Sequence, residues 1–118
     1  MASLSSRNSD GAAAEELAAQ YLQRQGLTLL ARNYRVRGGE IDLVAQEGDT
    51  FVFIEVRLRR SARFCGAAAS IDPYKQGRIV LAAQHYLRGR DIGCRFDVVL
   101  LDDMSVAGIE WIRDAFQT

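Results

Sequence analysis

Apolar residues along the chain follow first a helical and then a strand period. Between Gly11 and Gln25, Ala14, Leu17, Ala18, Tyr21 and Leu22 fall at i, i+3, i+4, i+7 and i+8, the stripe of an amphipathic helix. Ser9 or Asp10 can cap its start, and Gly26 ends it. Leu27 to Val36 reads as a strand broken near Ala31-Arg32. Gly38-Gly39 then makes a turn, and from Gly38 to Arg57 the period becomes two. Gly-Gly-Glu-Ile-Asp-Leu-Val-Ala and Thr-Phe-Val-Phe-Ile-Glu-Val-Arg flank Glu47-Gly48-Asp49, which predicts a β-hairpin. Leu58 to Ile71 has no clean period and reads as a basic loop. Asp72-Pro73 opens a second helix, with Asp as N-cap and Pro at the first helical position, and Gly89 stops it after about Arg88. Ile79, Val80, Ala83 and Leu87 make its apolar face; Gln76 shares that stripe, with Lys75 beside it. Arg95 to Leu101 is an almost wholly apolar strand, as one covered on both faces would be, interrupted by an Asp97 that needs a partner. Ala107 to Ile112 is a short final strand with Trp111 as a packing residue, and Asp114 to Thr118 frays. The order α-β-β-β-α-β with a short final strand predicts an α/β sandwich, helices lying on the sheet faces with one late crossover.

The hairpin draws attention by its charges. Strand alternation places Glu40, Asp42 and Val44 on one face and Ile41, Leu43 and Ala45 on the other. On the second strand Phe51, Phe53, Glu55 and Arg57 share a face opposite Val52, Ile54 and Val56. The register that keeps the apolar sets together puts Asp42 beside Glu55, with Glu40 and Arg57 on the same face. Like charges side by side destabilise a sheet. Either this face is solvated, or the acids converge to hold a hard divalent cation such as Mg²⁺, which takes carboxylate oxygens and keeps several waters. The apolar character of both strands favours a site.

Composition narrows the setting. The 118 residues suffice for one domain, with residues 1–10 read as a flexible polar tail and 11–118 as the folded unit. No apolar run is long enough for a membrane span, and the Ser-rich start has no apolar core for a signal peptide; a cytoplasmic protein is expected. Cys65 and Cys94 lack metal-ligand spacing and read as buried or incidental thiols. His85 reads as a solvated helical residue. Net charge is zero, but Arg32 to Arg95 holds twelve bases against seven acids, while the two ends together hold three bases and eight acids. Fourteen of the fifteen bases are Arg, which suits bidentate phosphate contact and equally suits a bias in base composition of the genome. Arg35, Arg37, Arg59, Arg60, Arg63 and Lys75 are the expected nucleic-acid contacts.

Gly-Gly-Glu-Ile-Asp-Leu-Val at 38–44 with Phe-Ile-Glu-Val-Arg at 53–57 resembles the YraN-like family of small bacterial proteins. The likeness extends over nearly the whole chain. It takes in Gly11 with Glu15-Glu16-Leu17-Ala18-Ala19, Arg32-Asn33-Tyr34-Arg35, Lys75-Gln76 with Ala82-Ala83 and Tyr86-Leu87, and Arg95-Phe96-Asp97-Val98-Val99. That family is grouped with the PD-(D/E)XK nucleases, near the archaeal Holliday-junction resolvases. The resemblance implies a restriction-endonuclease-like three-layer sandwich and hydrolysis of phosphodiester bonds in branched or other DNA, with Mg²⁺ or Mn²⁺. It assigns metal binding to Asp42 and Glu55, adds Glu15 from the first helix, and puts Arg57 where the superfamily has Lys. Glu40 and Gln76 match positions typical of the family. A junction-cutting enzyme cuts two strands symmetrically, so a homodimer is also implied. Two other classes compete: a non-catalytic nucleic-acid-binding module that kept the nuclease fold, and a protein–protein adaptor with vestigial acids.

Overall fold

The computed structural model describes residues 9–58, 71–102 and 108–117. Their order is α1 (Ser9–Arg24), β1 (Thr28–Val36), β2 (Gly39–Glu47), β3 (Thr50–Leu58), α2 (Pro73–Leu87), β4 (Cys94–Leu101) and β5 (Ile109–Phe116). The strands form one mixed sheet of five, ordered β1-β2-β3-β4-β5. Its neighbours are antiparallel except β3 and β4, which run parallel and are joined through α2.

The two helices cover opposite faces. Ala14, Ala18, Ala19 and Leu22 of α1 pack on Leu43, Ala45, Val52, Ile54, Val99 and Leu101. Ile79, Ala82 and Ala83 of α2 pack on Val44, Phe53, Phe96, Val98 and Leu100. Strand alternation in β3 and β4 thus separates two cores, which is why both strands are apolar on both sides. Helix α1 begins at Ser9, two residues before the expected start. It ends with Gly26 at a φ of 103°; the Gly26 N–H donates to the Gln23 carbonyl and the Leu27 N–H to the Leu22 carbonyl, which satisfies the last turn. At the start of α2 the Asp72 carboxylate accepts from the Lys75 N–H at 2.8 Å. The helix closes through Arg88, not Gly89 alone: both have positive φ, and the Arg88 N–H reaches the Gln84 carbonyl.

Three expectations need correction. Ile41 does not share a face with Leu43 and Ala45. It packs under α2 with Val44 and Tyr34. Alternation switches at Asp42, facing the place in β1 where Asn33 takes a φ of 51° and the register passes from Arg32↔Leu43 to Tyr34↔Ile41. A left-handed residue in one strand turns the pleat of the pair, so both strands change phase together. The break expected near Ala31-Arg32 is a register shift between Leu29 and Ala31. The final strand is not short and does not fray after Ile112. It runs to Phe116, and Phe116 stacks on Phe96 with ring centroids 5.0 Å apart.

That last strand is held by the acid that sequence left without a partner. Asp97 is fully buried and accepts from Arg95 Nε and Nη2, Trp111 Nε1 and the Asp114 N–H, each at 2.9 Å. Asp114 lies at a φ of 54°, and the β4–β5 register shifts between Phe96 and Val98. The carboxylate thus accepts a backbone N–H of β5 where the ladder is irregular. Arg95 also reaches Glu47 at 2.9 Å, and these two acids raise the guanidinium pKa further.

Candidate functional site

A second carboxylate fills a second break in the ladder. The β2–β3 pairs run from Glu47↔Thr50 to Leu43↔Ile54. The next step brings Asp42 and Glu55 together, as the expected register requires. There Asp42 Oδ2 accepts from the Val56 N–H at 2.9 Å, so its side chain is aimed into the sheet and held by backbone. Asp42 and Glu55 are each only 5% exposed.

Burial and the facing charge together decide the state of the pair. The Glu55 carboxyl is pushed up to about 8, first by burial and then by the negative charge of Asp42, with a hydrogen bond to Asp42 in the same direction. Lys75 opposes this: its Nζ lies 3.0 Å from Glu55 Oε2. Arg57 Nη1 stands 3.8 Å from the same oxygen. The contrast with Asp97 is chemical. Asp97 is buried against a guanidinium and an indole N–H; Asp42 is buried against another carboxylate. Such an arrangement costs stability unless something takes up the charge, and perturbed acids of this kind gather at working sites.

The other expected residues come from α1, β2, α2 and the turn after β1. Glu15 is 8% exposed on α1, on the face opposite α2. No group of three His, Cys, Asp or Glu side chains gathers as a metal cage among the described residues. Glu40 sits across the ladder from Arg35, 3.9 Å from its guanidinium. Gln76 donates to the Ile71 carbonyl at 2.8 Å, fixing the entry into α2. Arg37 is exposed beside the Gly38 turn. Arg59, Arg60 and Arg63, and the incidental thiol of Cys65, lie outside the described residues. Cys94 is an exposed free thiol, and His85 is exposed.

Lys75 was expected as a nucleic-acid contact; its place against Glu55 is what sequence reading missed. The Asp72-Pro73 cap places it in the first turn, but no periodicity tells that this turn lies over the end of β3. A tight joint makes it so. Gly39 is buried against α2, and a Cβ there would stand 2.3 Å from the Arg78 carbonyl oxygen. Only glycine lets β2 approach the helix backbone this closely.

The two carboxylates suit a hard divalent cation. They are oxygen donors, adjacent, desolvated and mutually repelling, and the cation now beside them is a lysine ammonium on a 43% exposed side chain that can leave.

Fold and site thus define a mixed α/β protein with a buried carboxylate pair at an opening between two strands. Residues 14–101 match the uncharacterised protein family UPF0102, and the chain belongs to that family, the YraN-like group its motifs resemble. It is 55% identical over 115 residues to a UPF0102 protein of Nitrosomonas europaea, across 96% of this chain and 98% of the relative. A UPF0102 protein of Methylobacillus flagellatus is 55% identical over 104 residues, covering 87% and 92%. One of Saccharophagus degradans is 50% identical over 117 residues, covering 96% and 97%. The match spans both helices and β1 to β4. No helix among the described residues is long and apolar enough to cross a membrane.

Proposed function

We propose that this protein is a metal-dependent endonuclease of restriction-endonuclease-like fold that hydrolyses phosphodiester bonds in DNA, branched DNA included. The observation that carries the reading is the buried Asp42–Glu55 pair with Lys75 and Arg57 beside it. Asp42 and Glu55 would hold Mg²⁺ or Mn²⁺. Bound there, the ion would lower the pKa of a water and take up charge on the phosphate.

The protein's own groups do the rest. The Val56 N–H keeps Asp42 aimed at the pair. Lys75, released from Glu55, supplies from α2 the compact ammonium that position 57 lacks. Arg57 holds the phosphate through its forked guanidinium, a role that needs no proton transfer. Gln76 acts through the loop end it ties at Ile71, and Glu15 and Glu40 stand at the margin of the site.

Calorimetry with Mn²⁺ and cleavage of branched, flapped, nicked and linear DNAs test the reading. Wild type should bind Mn²⁺ and cut at least one substrate; Asp42→Asn and Glu55→Gln should lose both. Unchanged Mn²⁺ affinity in both variants would sink it. The Lys75–Glu55 contact also favours a second reading, a non-catalytic binding module whose acids are neutralised from within. That module would bind DNA equally well in wild type and Asp42→Asn and cut nothing.

A further inference from the structure

Helix α2 and the segment after it carry no acid from Pro73 to Arg90, but Lys75, Arg78, Arg88 and Arg90 are basic. An acid in the first turn would favour the helix dipole; none is present, and Lys75 stands there instead. Arg88 and Arg90 at the far end suit the dipole; Lys75, in the first turn behind the Asp72 cap, does not.

The side chains are ordered along one stripe. Tyr74, Arg78, Leu81, His85 and Arg88 fall at i, i+4, i+7, i+11 and i+14. Tyr74 is 75% exposed, and the Arg78 guanidinium lies 6.0 Å from its ring centre. At the far end Tyr34, Tyr86, Arg88 and Arg90 line an open groove of about 540 Å³. A neighbouring one of about 490 Å³ shares Tyr34 and Arg88 and adds Leu81, Gln84 and His85. The Tyr34 and Tyr86 rings meet edge to face at 5.1 Å. Tyr74 directly precedes Lys75, whose ammonium reaches Glu55, so the stripe begins in the turn of α2 that serves the carboxylate pair. It spans about 20 Å at 1.5 Å per residue.

We infer that this stripe is a track for single-stranded nucleic acid, leading from the Tyr34–Arg88 groove to the carboxylate pair. Arg78 and Arg88 follow the exposed Tyr74 ring along the stripe, Tyr34 and Tyr86 add rings at the groove, and an exposed ring adds affinity only where bases are unpaired and can stack. A duplex would use the cations and leave Tyr74 idle. Single-strand sites run from about 4 to 16 nucleotides, and a stripe this short takes the lower end, roughly four to six. The inference deepens the nuclease reading, which it needs only to say what happens at the end of the track: the substrate class becomes DNA with a single-stranded arm.

The test leaves the metal out. Labelled oligothymidylates of increasing length are titrated in EDTA at low salt and followed by fluorescence anisotropy. Affinity should rise with length to about four to six nucleotides and then level. Tyr74→Ala should weaken it about tenfold and Tyr74→Trp should restore it. Arg78→Ala with Arg88→Ala should reduce the salt slope by about 1.4, two phosphate contacts on a single strand. These side chains are surface groups, and melting curves check the fold of each variant. Equal or tighter binding of a duplex of the same length, equal binding of an acidic peptide, no binding at low salt, or an unchanged affinity in Tyr74→Ala would each overturn the track. Loss of Mn²⁺ binding or of cleavage, with strand binding intact, would instead count against the nuclease reading alone.

Discussion

Changing Glu55 to Gln in the metal-free protein is expected to stabilise it, by an amount that grows with pH. The folded protein raises this carboxyl from 4.5 to about 8 through burial and the Asp42 charge. A folded pKa above the unfolded one means that the native state holds the proton more tightly. Stability is then full below about pH 4.5 and is lost as pH rises through 8. At about 1.4 kcal/mol per unit over roughly 3.5 units, the ceiling is about 5 kcal/mol, shared by the coupled pair. Gln carries no charge at any pH. It gives up the ion pair to Lys75, a loss of at most about 1 kcal/mol because that lysine is partly solvated. The net gain should be near zero at pH 5 and about 2–4 kcal/mol at pH 8.5, roughly 10 °C in melting temperature for a domain of this size. Thermal melts of wild type and Glu55→Gln in EDTA, from pH 5 to 8.5, measure the difference directly. A difference that stays constant with pH, or a Gln variant less stable than wild type at pH 8, would refute the reasoning.

Gly39→Ala should cost about 3 kcal/mol, because its Cβ would meet the Arg78 carbonyl oxygen at 2.3 Å and backbone must shift to admit it; the urea midpoint should fall with an unchanged slope. Asp97→Asn removes the charge that faces Arg95 and should cost about 3 kcal/mol, with the amides of β5 losing hydrogen-exchange protection first. Arg57→Lys should keep Mn²⁺-dependent cleavage within about tenfold, and Arg57→Ala should lose on the order of a hundredfold; equal cleavage by wild type and Arg57→Ala would place the residue outside the chemistry.

Much of this architecture was legible because local chemistry specifies it. The apolar stripes located both helices, Asp72-Pro73 marked the start of α2, and the hairpin pattern gave the register that joins Asp42 to Glu55. What failed depends on partners distant in sequence. The fraying expected after Ile112 overlooked the buried Asp97, whose carboxylate needs the Asp114 N–H and the Trp111 indole, so the acid and the strand stabilise each other. Strict alternation placed Ile41 on the wrong face because the pleat turns at Asn33, a residue type that tolerates the left-handed region without announcing it. Lys75 was expected as a nucleic-acid contact and not beside Glu55, because its distance to Glu55 is set by how closely Gly39 lets α2 settle on the sheet.

The strand order has a consequence in time. Every neighbour in the sheet is also a neighbour in the chain, and β3 to β4 is the one parallel step, closed through α2. Hairpins between consecutive strands close short loops, whereas the crossover must close a long one. Asp42 and Glu55 should therefore meet early, on a hairpin still open to water, where their repulsion is weak. Their burial and the arrival of Lys75 belong to the docking of α2, the slower event. Pulsed hydrogen exchange during refolding should find the β2–β3 amides protected before those of β4. The assembled site would then exist only in chains that have completed the crossover, and a chain halted at the meander would carry both acids and Arg57 but neither the Lys75 ammonium of α2 nor the desolvation that makes the acids reactive.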